Sequence, residues 1–295
     1  GEALTDFKAL LEAGAIGFTD DGAPLLDEDL VKRAMENAVS TDSVLSFHEE
    51  DPQYITNNGV NRGKASEHFG IGGSDRQAEI NMVDRDIKLA IQTGAKVNFQ
   101  HLSTKEAIEL IREAKKLPKG KNLYAEATPH HIALTQDAVI AHGTMAKMNP
   151  PLREESDRQA IIEGLKDDTI DIIATDHAPH SMDEKNKPIT DAPSGILGLE
   201  TAFAICNKVL VLNEKLSYLQ LFCKMSYKPA LLYGLNAGYL AENAPADLVV
   251  FDSEREWMID KFASKSQNSP FINEKLTGKI ELTRSNGKIV FWDWK

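Results

Sequence analysis

The feature that most constrains this chain is a short extended run, repeated along its first three-fifths, that each time ends in a reactive polar cluster. Residues 15–19 (AIGFT) precede a helical pattern over 27–39, and 44–47 (VLSF) lead through a polar, glycine-rich loop to a helix over 77–93. Residues 96–100 (KVNFQ) run into a helix over 104–116, and 123–127 (LYAEA) and 170–175 (IDIIAT) complete the set, with a helix over 154–166 between them. Strands that alternate with helices pair in parallel through right-handed crossovers. The clusters are Asp20-Asp21-Gly22, His48-Glu49-Glu50, His101-Leu102-Ser103, Thr128-Pro129-His130-His131 and Asp176-His177-Ala178-Pro179-His180. In an eight-stranded α/β barrel the C-terminal strand ends converge on one mouth, where active sites are built. Polar clusters at successive strand ends therefore predict a site.

Beyond residue 235 the pattern changes. Residues 245–252, 278–283 and 288–292 read as antiparallel strands, and Asn286-Gly287 is a hairpin turn signal. We expect two domains: a partial (β/α) barrel over 1–235, holding strands four to eight of a TIM-type barrel, and a small β-sandwich portion over 236–295. The formal net charge of -12 argues against nucleic acid and anionic membranes as partners. No apolar run approaches the roughly 20 residues of a membrane span. Two cysteines are too few for a disulfide framework and suit a reducing cytoplasm; Cys206, in an apolar run, reads as core.

Aspartate and histidine dominate the strand ends. Neutral imidazole with carboxylate suits zinc and similar divalent ions, and open zinc sites use such mixed ligands. A lone histidine is ordinarily a hydrogen-bonding residue, and that reading is kept for His68 and His142. The joint placement of His48, His101, Asp21 and Asp176 reverses it and points to metal ligation.

The segments GFTDDG (17–22), SFHEE (46–50), FQHLST (99–104), EATPHH (126–131), KMNPPLR (147–153) and IATDHAPH (173–180) resemble the motif series of bacterial type I dihydroorotases, amidohydrolases that open a cyclic amide. GLET (198–201) and ADLVVFD (246–252) extend the resemblance over essentially the whole chain. It implies that Asp21, with Asp20 as the alternative, bridges two metal ions and that His48 and His101 bind the second. Asp176 would sit on the first metal and shuttle a proton between water and the ring nitrogen. Asn149, His180, Ser194 and Gly195 would contact the substrate, dihydroorotate or N-carbamoyl-L-aspartate. The resemblance does not use His130, His131 or His177 as ligands. Arg153 is open between pairing with a substrate carboxylate and anchoring its own loop.

The same resemblance leads one to expect an opening strand ending in His-x-His-x-Arg, and no His-x-His occurs in the chain. The expectation is therefore of a dihydroorotase without its first three strands, with two unpaired sheet edges. A complete site would carry two Zn2+ ions, and this chain alone one or fewer, with little turnover. Within the same scaffold, hydantoinases and allantoinases usually bridge their metals with a carboxylated lysine, where this chain offers aspartate. A further alternative is an inactive scaffold that partners aspartate transcarbamoylase; a homodimer is the other association considered.

Overall fold

The computed structural model describes residues 2–293. Five parallel strands, β1 (Phe18–Thr19), β2 (Val44–Phe47), β3 (Lys96–Phe99), β4 (Leu123–Ala127) and β5 (Ile172–Ile173), pair in sequence order. Leu45 pairs with Val97 and Phe99 with Ala125, so strand ends bearing the polar clusters line up on one side. Helix α1 (Phe7–Glu12) precedes β1, and α2 (Glu28–Ser40), α3 (Lys64–Phe69), α4 (Gln77–Thr93), α5 (Lys105–Lys115), α6 (Pro129–Ala133), α7 (Gln136–His142) and α8 (Glu155–Lys166) fall between the strands.

Each long helix starts and stops for a local reason. Asp27 caps α2 by accepting the Leu30 N–H, and Thr104 caps α5 by accepting that of Ala107. Gly94 ends α4 in the left-handed region at φ 83°. The apolar stripes of α2, α4 and α5 meet the strands in one core built around Met35, Val83, Val97, Phe99, Ile108 and Ile111. The strands β2 and β3 are buried on both faces, as parallel strands covered by helices must be, and their polar Ser46 and Asn98 are buried with them and hydrogen-bond each other. The loop between β2 and α4, read from sequence as irregular, contains α3 and a 3-10 turn at Pro52–Tyr54.

The C-terminal part is one antiparallel sheet of three strands, β6 (Leu248–Met258), β7 (Lys275–Ser285) and β8 (Lys288–Trp292). The turn between β7 and β8 has Asn286 at φ 48° and Gly287 at φ 72°, the pair of positive values a two-residue hairpin needs. The expected β portion extends to residue 295; its last two residues lie outside the described ones. The connection from β6 to β7 does not stay with its sheet. Ile259, Phe262 and Phe271 join a second core cluster with Met148, Leu152, Ile196 and Ile205. No helix among the described residues is long and apolar enough to cross a membrane.

Candidate metal centre

Three side chains from three successive strand ends meet. His48 Nδ1 lies 3.0 Å from His101 Nε2 and 3.3 Å from Asp21 Oδ1, and His101 Nε2 lies 3.5 Å from the same oxygen. Among the described residues this is the one group of metal-type donors whose atoms all fall within 4.8 Å of one another. Four ligands held tetrahedrally at about 2.1 Å from a zinc-sized ion stand about 3.4 Å apart. The three observed separations sit at that spacing, so the residues fit a divalent ion.

Local structure explains why these atoms converge. Asp20, the alternative ligand, is already engaged: its Oδ1 accepts the His48 backbone N–H at 2.9 Å and its Oδ2 that of Leu25 at 2.9 Å. Asp21 is left to face the histidines. His48 is oriented by Glu50, whose Oε2 lies 3.1 Å from Nε2. A carboxylate only accepts, so the proton sits on Nε2 and Nδ1 is free as a ligand atom. His101 follows β3 at φ 34°, a backbone region that non-glycine residues seldom occupy.

The electrostatics favour a cation in this position. Hydrogen bonds from His101 and His48 pull Asp21 below the usual carboxylate range. Burial works against protonated His48, yet Asp21 and Glu50 raise it to about 10. Burial likewise opposes a charge on His101, and Asp21 raises its pKa. Those protons occupy the place a dication would take, and the carboxylates that favour them favour it too. The Asp176 carboxyl is raised by burial, with His101 lowering and Asp21 raising it. It lies outside the three-residue donor set, at φ 47°.

Of the other residues singled out from sequence, Asn149 reaches this cluster, while His180 and Gly195 pack on each other and Ser194 on a neighbouring loop. Asn149 Nδ2 is 3.4 Å from His48 Nε2. Gly195 has φ 133°, and a Cβ there would come within 2.6 Å of the Ala178 Cβ and 3.1 Å of His180 Nε2, so this loop packs directly on His180. Ser194 lies against Gly59, where a Cβ would strike its hydroxyl. Lys147 donates to the carbonyls of Ile189 and Ala192, and Lys185 to those of Pro193 and Gly195, which pins the 189–195 segment from below.

Arg153 resolves as an anchor. It is buried and donates to Ser103 Oγ, Asn61 Oδ1 and the Ser74 carbonyl. His131 hydrogen-bonds Thr128 Oγ1 and the Pro150 carbonyl, and His177 Nδ1 accepts the Gly198 N–H; neither joins the donor set. Cys206 is core, its thiol pushed up to about 12 by burial.

Sequence reasoning missed Glu50 as the partner of His48, and it missed Asn268 altogether. The Asn268 side chain donates to the carbonyls of Ala178 and Gly195 and accepts the His180 N–H, so the small sheet's long connection reaches into the barrel mouth. No local signal marks Asn268.

The Amidohydrolase family pattern matches residues 6–290. A dihydroorotase of Clostridioides difficile (strain 630) is 51% identical over 291 residues, spanning 99% of this chain and 69% of that protein. One from Lactococcus lactis subsp. lactis (strain IL1403) is 48% identical over 292 residues with the same coverage. The L-hydantoinase (dihydropyrimidinase) from Arthrobacter aurescens superposes with a TM-score of 0.86 at 24% identity, over 98% of this chain and 67% of its own, a likeness of fold alone. The converging donors and the identity to relatives across nearly every residue agree: this chain belongs to the amidohydrolase family and, within it, to the dihydroorotases.

Proposed function

We propose that this chain carries, at a zinc centre held by Asp21, His48 and His101, the machinery that opens and closes the cyclic amide of dihydroorotate, interconverting it with N-carbamoyl-L-aspartate, with low turnover from the chain alone. The observation that carries this reading is the convergence of those three donors at 3.0–3.5 Å from three separate strand ends. When bound, the ion supplies Lewis acidity to the amide carbonyl and to the attacking water. Asp176 takes the water's proton and returns it to the departing ring nitrogen; burial raises its pKa, the direction that helps a carboxylate hold a proton in passing. Asn149, beside His48, and His180, backed by Gly195, hold the substrate against the centre. Asp21 rather than a lysine at the first of these strand ends favours this substrate over hydantoins. The reaction belongs to de novo pyrimidine synthesis in the cytoplasm.

The donor set predicts about one zinc equivalent per chain after loosely bound ions are removed, measured by elemental analysis. Asp21→Asn should lose the metal. Asp176→Asn should keep metal bound at this donor set and lose turnover of dihydroorotate, followed by its ultraviolet absorbance. A metal-free parent, or an Asp176→Asn variant with parental turnover, would overturn the proposal.

A further inference from the structure

Glu79 lies in the first turn of α4, on the same buried side as Met82, Val83 and Asp86, and is 1% exposed. A buried carboxylate is costly unless its lone pairs are filled. No lysine or arginine among the described residues pairs with it at ion-pair distance. Its partners are four donors on one short turn, the backbone N–H and hydroxyl groups of Ser103 and Thr104. The Ser103 N–H approaches Oε1 at 3.1 Å and Oε2 at 3.0 Å; the Thr104 N–H and hydroxyl reach Oε1 at 2.8 Å and 2.6 Å; the Ser103 hydroxyl bonds Oε2.

That turn begins at His101, whose φ of 34° turns the chain out of β3 through a sparsely populated region. Such a conformation persists only where its surroundings over-determine it. Here Leu102 donates to the Glu126 carbonyl at 3.0 Å and Arg153 Nε donates to Ser103 Oγ at 3.1 Å, but most of the fixing bonds end on Glu79. Thr104 also caps α5, so one carboxylate ties the start of α4 and the start of α5 to the end of β3.

We propose that Glu79 is a positioning residue for the metal centre: by holding the Ser103-Thr104 turn it keeps His101 in the backbone conformation that aims Nε2 at His48 and Asp21. The inference rests on the metal-centre reading above. Glutamine at this position puts an amide donor where the turn presents only donors, so the turn must shift and His101 with it.

The test is a Co2+ titration of the metal-stripped chain, read by the visible ligand-field bands that report coordination. Glu79→Gln should bind cobalt about 10- to 100-fold more weakly and shift those bands, the size seen for groups that orient metal ligands. Ser103→Ala, which removes one donor and folds more readily, should weaken binding about fivefold. Leu165→Ala, a core change away from the turn, serves as the control for lost stability and should leave affinity and spectrum unchanged. Variants at 79 and 103 that melt earlier but bind cobalt with parental affinity and spectrum would overturn the proposal, because the clamp would then serve stability alone. A parent that binds no cobalt would overturn the metal-centre reading and this inference with it. A parent that binds while Glu79→Gln binds equally well would overturn this inference only.

Discussion

Acid should destabilise this protein through His131, and one substitution should remove that share. The His131 ring is buried between two fixed partners. Its Nε2 lies 3.1 Å from the Pro150 carbonyl, which can only accept, and its Nδ1 lies 2.8 Å from Thr128 Oγ1. The ring is therefore a neutral Nε2–H tautomer that receives the Thr128 hydroxyl hydrogen, and a second proton would destroy that bond. Burial, joined by the charges of His101 and Arg153, lowers its pKa from 6.5 to about 3. The unfolded chain takes up the proton near the ordinary value while the folded chain refuses it. The stability this ring contributes is thus present at neutrality and lost as the pH falls from 6.5 towards 3. At about pH 5 the gap is about 1.5 pH units, or about 2 kcal/mol. His130, also buried and held well below its usual range, adds a loss of the same sign. His48 and His101 act oppositely: their pKa values are raised, so their contribution is full in acid and declines as the pH rises. Comparing parent with variant cancels these shared terms. His131→Asn, followed by urea unfolding of the metal-free chain at about pH 7 and about pH 5, should be less stable than the parent at neutrality. It should also lose about 2 kcal/mol less on acidification. Parallel losses in parent and variant would refute the argument.

Three other outcomes are expected. Asn268→Ala removes three side-chain hydrogen bonds and leaves the His180 N–H without its acceptor, so unfolding free energy should fall by about 3 kcal/mol in a denaturant melt. Lys185, lowered to about 8 by burial and by Lys147, sheds its proton in the folded state before the unfolded one does. The parent should therefore gain stability between about pH 8 and about pH 10, and Lys185→Met should show no such gain in thermal melts. Ile111→Ala empties a fully buried place in the main core and should cost about 2–5 kcal/mol by the same melts.

The strands and the ends they carry were largely legible, because each short extended run is followed by a helical pattern and ligand chemistry stands out at its end. The reading put the helix over 77–93 where α4 lies and the first strand three residues too early, since Ala15, Ile16 and Gly17 look extended but make no ladder. Asp21, His48 and His101 were identifiable as a set, whereas the choice between Asp20 and Asp21 needed the two backbone donors that claim Asp20. Arg153 stayed open in the sequence because a loop anchor and an anion grip use the same guanidinium; only its partners decide. Glu79 left a faint sign, an acid at the i−3 and i−4 positions of Met82 and Val83 on the apolar side of its helix. Asn268 left none, since its partners are carbonyls and an N–H some 70 to 90 residues away.

The reach of that asparagine bears on how such chains can be recombined. A split near residue 235 looks natural, between the helix Lys228–Leu232 and the small sheet. The segment joining β6 to β7 nevertheless supplies part of the lining behind His180 and Gly195, and Leu197 donates to the Asn268 carbonyl as well. A chimera that exchanges the small sheet between relatives carries this segment with it, and must inherit matching loops at 178–180 and 195–197 to seat it. Exchanges that ignore the pairing should misplace the barrel mouth even when both halves are native sequences.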